Sequence, residues 1–188
     1  MQLPYSEELN IEYLGRLFDN TSECYKFFWF KAIVAKVTEG KRELTYEELV
    51  DEMIADAWYM VTEYHLNLGP KDTLECLVDL IKKKNVGLKS CEKKSVIIDF
   101  LRTTDDKEIL SKKRTLTYNV PYRLQAPFMS KLKGKAWNVG ENELIAKINR
   151  ENRLIYYFTA LNASSRSSMI SSICSVPMES LMVLGLMP

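Results

Sequence analysis

The chain has 188 residues, 46 % of them hydrophobic and 27 % charged, so it can build a core of its own and is not disordered by composition. Its formal charge of +1 hides two opposed blocks: residues 1–81 carry 16 Asp/Glu against 7 Lys/Arg, and residues 82–135 carry 15 Lys/Arg against 5 Asp/Glu. One histidine, four widely spaced cysteines and no glycine-rich phosphate loop exclude the usual zinc, paired-cysteine and P-loop signatures.

The opening residues, MQLPYSEELN, lack a basic end followed by an apolar stretch, and no run of about 18 apolar residues follows anywhere. A cytoplasmic protein without a membrane partner is expected, its four cysteines reduced and mostly buried. A first helix is expected after Ser6, with Leu9, Tyr13 and Leu17 on one face. A second should run from about Ser22 to Glu39; its Phe27–Phe30 run is apolar all round and predicts a central helix. Thr45 and Glu48 have capping-box spacing, and Leu49, Met53, Ile54, Ala57, Trp58 and Val61 then follow a helical period up to the stop signal Asn67-Leu68-Gly69-Pro70. Helices over about 73–84, from near Ser90, and over about 105–113 come next. Leu116, Tyr118 and Val120 alternate with Thr117 and Asn119, which reads as a short strand. Helices over about 141–151 and through Leu154–Leu161 complete a domain of residues 1–162. The fold class is mainly α: a multi-helix bundle around the second and third helices, with a minor β element near 115–124.

After Asn162 the texture changes. Seven of the thirteen residues from Ala163 to Ser175 are serine, and the end is apolar. Residues 163–188 read as an atypical tail: a docking segment, a homo-oligomer contact, or a terminus altered by a frameshift.

His65 falls at the end of the third helix, where an imidazole suits free carbonyls better than a metal. Glu48, Glu52 and Asp56 recur every fourth residue, so they share a face and repel one another; solvent or the chain's own lysines are the expected remedy, a divalent cation the rival. Cys91 stands among lysines, but a catalytic thiol there has no supporting partner. No metal and no cofactor are expected. The basic block is the main functional signal. Lys82–Lys84, the group Lys112, Lys113 and Arg114, then Arg123, Lys131, Lys133 and Lys135, are interleaved with Tyr118, Tyr122 and Trp137. Cations neutralise phosphates and exposed rings stack on bases, so the seven residues from Lys112 to Lys135 are candidate nucleic-acid contacts. Helix, turn, helix and strand in that order permit a winged-helix-like reader.

Five strings, LPYSEELNIEYLGRLFDNTSECYKFFWFKAI, LTYEELVDEMIADAWYMVTEYHLNLGP, LTYNVPYRLQAPF, GKAWN and RLIYYFTALN, carry a family likeness. Over residues 2–162 the chain resembles the N-terminal, non-catalytic region of bacterial HNH endonucleases. The resemblance implies an association with DNA cleavage. The family's metal-binding histidines lie further along, and no catalytic residue of the family maps onto a position here. The chain alone is therefore expected to be a truncated, non-enzymatic relative that binds or positions DNA. The alternative is a helical protein-interaction or assembly module.

Overall fold

A computed structural model describes residues 11–19, 23–84, 87–118, 120–128, 141–150, 154–158 and 173–175. The architecture is mainly α with a small β element, built as α1 (Ile11–Gly15), α2 (Tyr25–Thr38), β1 (Glu43–Thr45), α3 (Tyr46–Thr62), α4 (Thr73–Lys83), α5 (Lys94–Thr103), α6 (Lys107–Thr117), α7 (Val120–Leu124), a 3₁₀ turn (Ala126–Phe128), α8 (Glu141–Ile148), β2 (Tyr157–Phe158) and β3 (Ile173–Ser175). The chain divides into two compact units, one of Met1–Asp19, Val34–Thr45 and Tyr122–Pro188, the other of Asn20–Ile33 and Tyr46–Pro121. This is not the division that composition suggests, a body of 1–162 with a tail of 163–188.

In the first unit, Ile173–Ser175 of the supposed tail is the central strand of a three-stranded antiparallel sheet in the order β1-β3-β2. Leu44 and Phe158 both lie opposite Cys174 in the register. Strand pairing uses backbone donors and acceptors, which a serine-rich segment carries as fully as any other. The rest of the tail lies outside the described residues. The helix expected through Leu154–Leu161 is not formed over 154–158. Leu154, Ile155, Tyr156 and Phe158 are all buried, which is no helical stripe. The Asn149 side chain takes both backbone groups of Phe158, accepting from its N–H at 3.0 Å and donating to its carbonyl. Phe158 also packs against Tyr122 and Tyr156, with ring centroids 5.1 and 5.7 Å apart.

The second unit is a helical bundle with α3 at its centre. Leu49, Val50, Met53, Ile54, Ala57, Trp58 and Val61 are buried around most of its circumference, and it packs on α4, α5 and α6 while α4 packs on α6. The apolar run of the second helix is covered except at Phe27: Phe28 and Trp29 are buried and Phe30 is half-buried. Trp29 is buried edge-on to Tyr46 at 5.7 Å, whereas Phe27 remains 45 % exposed. The α4 helix matches its expected span closely, with Leu74, Leu77, Val78 and Ile81 inward. The α5 helix starts at Lys94 rather than near Ser90, because the Ser90 hydroxyl donates to the Thr62 carbonyl (3.3 Å) instead of capping a helix.

The strand expected near 115–124 is also absent. Leu116 is the last member of the buried stripe Ile109, Lys113 and Leu116, so the helical period prevails over the local alternation. Val120 then opens α7, whose first turn accommodates Pro121. The small β element lies instead in β1, β2 and β3.

Asp72 ties this unit together. Its carboxylate caps α4 by accepting from Leu74 N (2.8 Å) and Glu75 N (3.2 Å), and it also accepts from Cys24 N (3.0 Å) at the start of α2. Burial outweighs these three donors and holds its carboxyl above the usual range. Asp72→Ala should cost about 2–3 kcal/mol in urea unfolding, more than an ordinary cap, because a long-range contact goes with it. Asp72→Asn should recover part of that loss.

Candidate functional site

Among the described residues, the cations of the basic block do not all face outward. Lys113, one of the seven candidate contacts, is 1 % exposed. Its ammonium lies 2.5 Å from Asp51 of α3 and donates to the Leu101 carbonyl at 3.1 Å. It is unavailable to a polyanion, because a lysine on the buried stripe of a helix must find its counter-charge inside. Burial pushes the Asp51 carboxyl up to about 6, against the pull of Lys113.

Other cations are also taken up internally. Lys94 bridges Glu52 and Asp56, lying 2.8 Å from the latter, and Lys31 approaches Asp56 at 3.3 Å. Burial alone would lower the Lys94 pKa, but its bonds to Asp56 and Glu52 hold it above the ordinary value. Glu52 and Asp56 of the carboxylate row are thus answered by the chain's own lysines. Among the described residues, no group of three His, Cys, Asp or Glu is arranged to hold a metal ion.

The outer side of α6 is different. With Ile109, Lys113 and Leu116 inward, the opposite face carries Lys107, Ser111, Arg114, Thr115 and Tyr118, all exposed, with Lys112 half-buried on the flank. Among the described residues, Lys107, Lys112 and Arg114 form no ion pair. The acids nearest in sequence are Asp105, Asp106 and Glu108. Asp106 caps α6 through Glu108 N (2.9 Å) and Ile109 N (3.1 Å). Lys84 holds Asp106 at 2.7 Å and Glu108 at 2.9 Å. Its bonds to these two carboxylates raise the Lys84 pKa, and the same contact lowers that of Asp106.

Of the remaining candidates, Arg123 is exposed on α7 in the other unit. Lys131, Lys133, Lys135 and Trp137 lie outside the described residues. Tyr118 is 57 % exposed, whereas Tyr122 is buried against Phe158 and cannot stack on a base. Sequence reading passed over Lys107, Ser111 and Thr115. Their shared face was encoded in the i, i+4, i+8 spacing, but a helix ending at 113 and a strand following it hid that relation.

No family model, curated protein or solved structure matches the chain. The remaining chemistry-bearing residues are structural or lie on the surface. His65 adopts a left-handed backbone (φ 50°) just beyond α3, where Leu66 N–H closes onto the Met60 carbonyl at 3.1 Å. Its side chain is exposed, so its part in ending the helix is played by the backbone. The three cysteines whose side chains are described depart from the mostly buried expectation: Cys76 and Cys91 are exposed and Cys24 is half-buried. Burial, then Asp72, Glu23 and Glu75, raise the Cys24 thiol and keep it protonated. No described helix is long and apolar enough to cross a membrane.

Proposed function

We propose that this chain is a non-catalytic module that binds or positions nucleic acid, as its resemblance to the N-terminal region of HNH endonucleases implies. One observation carries the reading. Asp51, Glu52 and Asp56 of α3 are matched by Lys31, Lys94 and Lys113 within the second unit, while Lys107 and Arg114 on the outward side of α6, and Lys112 on its flank, form no ion pair among the described residues. Cations left over after internal pairing are the ones that can release counterions from a phosphate backbone. Assembly through residues 163–188 is the weaker reading, because Ile173–Ser175 is already paired within the chain on both of its edges.

Six of the seven candidate contacts remain once Lys113 is set aside: Lys112, Arg114, Arg123, Lys131, Lys133 and Lys135. If six phosphates are neutralised, log affinity for duplex DNA should fall against log salt with a slope of about −5. Anisotropy titrations of a random-sequence duplex across a salt series measure it directly. Changing Lys131, Lys133 and Lys135 together to glutamate should flatten the slope and weaken binding alike for every sequence. A flat salt response, or no binding at low salt, contradicts the proposal.

A further inference from the structure

We infer that α5 and α6 form a helix-turn-helix in which the outer face of α6 enters the DNA major groove and reads base edges, so that binding is sequence-selective. This inference rests on the nucleic-acid reading above and adds which surface makes the selection.

The connection supports it. The α5 and α6 helices are joined by only three residues, Thr104–Asp106, the length typical of such a turn. Where a winged-helix arrangement would require a strand after the second helix, the chain continues as helix, so no wing follows at that point.

Rigid presentation supports it as well. A reading helix must be held at a fixed height and rotation, since a base contact tolerates little displacement. The α6 helix is held in two places. Lys84 clamps Asp106 and Glu108 at its start. Midway along, Lys113 reaches Asp51 and the Leu101 carbonyl, which fixes its rotation against α3 and the end of α5. These contacts lie on its inner side and its first turn, leaving Ser111, Arg114, Thr115 and Tyr118 to face outward together.

The chemistry of that face completes the argument. Eleven helical residues span roughly 16 Å and fit a groove about 12 Å wide. Arg114 can donate two parallel bonds to a guanine edge, and the Thr115 methyl suits a thymine methyl. Lys107 in the first turn and Lys112 on the flank are the cations available to phosphates beside the bases read. The acids beside the helix start do not oppose this, because Asp106 and Glu108 are held by Lys84, and exposed Asp105 belongs to the turn. The guanidinium of Arg114 presents a planar two-donor fork that suits the paired O6 and N7 acceptors of guanine and that a lysine ammonium reproduces poorly.

The test is selection of duplexes from a random pool by the full-length chain, followed by anisotropy on the selected and scrambled duplexes. The wild-type chain should enrich a short motif containing a guanine. Arg114→Lys keeps the cation and should lower the selected-to-scrambled affinity ratio by roughly 5- to 100-fold, with a much smaller change in affinity for the pool. Thermal unfolding of the variant should match the wild type, since Arg114 is exposed. Salt-dependent pool binding without enrichment, or a ratio untouched by Arg114→Lys, overturns the α6 assignment and leaves the broader proposal standing. No binding to the pool at low salt overturns both.

Discussion

Lys113→Met is expected to destabilise the second unit by about 3–5 kcal/mol near pH 8, a fall of more than about 10 °C in Tm. The methionine fills the lysine's volume, so little of this is a packing loss. What remains is the Asp51 carboxylate, 1 % exposed and deprived of its cation. The pH dependence separates this cause from general damage. Burial already lifts Asp51 to about 6 in the wild type, with Lys113 opposing the rise. Removing Lys113 removes that opposition, so the folded-state pKa must rise further. A carboxyl with a raised folded pKa stabilises the fold fully below its unfolded value of about 4, and that contribution is lost as pH rises through the folded pKa. The variant should therefore recover much of its stability between pH 8 and pH 5, where Asp51 takes a proton. The double change Asp51→Leu with Lys113→Met should approach wild-type stability at pH 8 and lose the extra pH dependence, since two apolar side chains need no counter-charge. Urea unfolding of the three proteins at pH 5 and pH 8 checks every arm. A single variant as stable as wild type at pH 8 would mean that Asp51 finds another partner or reaches water.

Trp58→Ala should cost about 3–5 kcal/mol at any pH. Trp58 is 1 % exposed at the centre of the bundle, and its indole N–H donates to the Lys89 carbonyl at 2.8 Å. One side chain therefore fills core volume and fastens the segment leading into α5. Trp58→Phe separates the two roles: it retains most of the volume, deletes the donor and should cost about 1–2 kcal/mol. Trypsin offers an independent readout. Exposed Lys89 and Lys93 should be cleaved faster in both variants than in the wild type, because their segment loses its anchor. A Trp58→Ala protein within 1 kcal/mol of wild type would show that the core collapses into the gap.

The two variants bear differently on function. Lys113 fixes the rotation of α6, so its loss should blur sequence selection as well as lower stability. Trp58 acts through α5 and should affect selection less.

Much of the helical framework was legible in the sequence. The α3 helix carries a full apolar period between a polar start and Asn67–Pro70, and α4 carries Leu74, Leu77, Val78 and Ile81 on one stripe. These patterns are local: spacing at 3.6 residues per turn says which face must be buried, whatever buries it. Where two periods competed, local reading failed. Leu116, Tyr118 and Val120 alternate as a strand would, yet Leu116 also completes the stripe begun at Ile109, and packing on α3 and α4 decides for helix. Residues 154–158 misled for the same kind of reason, since the side-chain amide of Asn149 supplies a partner that no local pattern announces.

Taken alone, the sequence determined that the chain is mainly helical, which helices are amphipathic, and that acid and base are segregated along it. It could not apportion the cations between the interior and the surface. Lys112, Lys113 and Arg114 are neighbours of like charge, but successive helical residues point about 100° apart, so one is half-buried, one is turned into the core and one faces out. Only the tertiary structure brought Asp51 to Lys113 and Glu52 and Asp56 to Lys94, because an ion pair between residues distant in sequence exists only once the helices carrying them have packed.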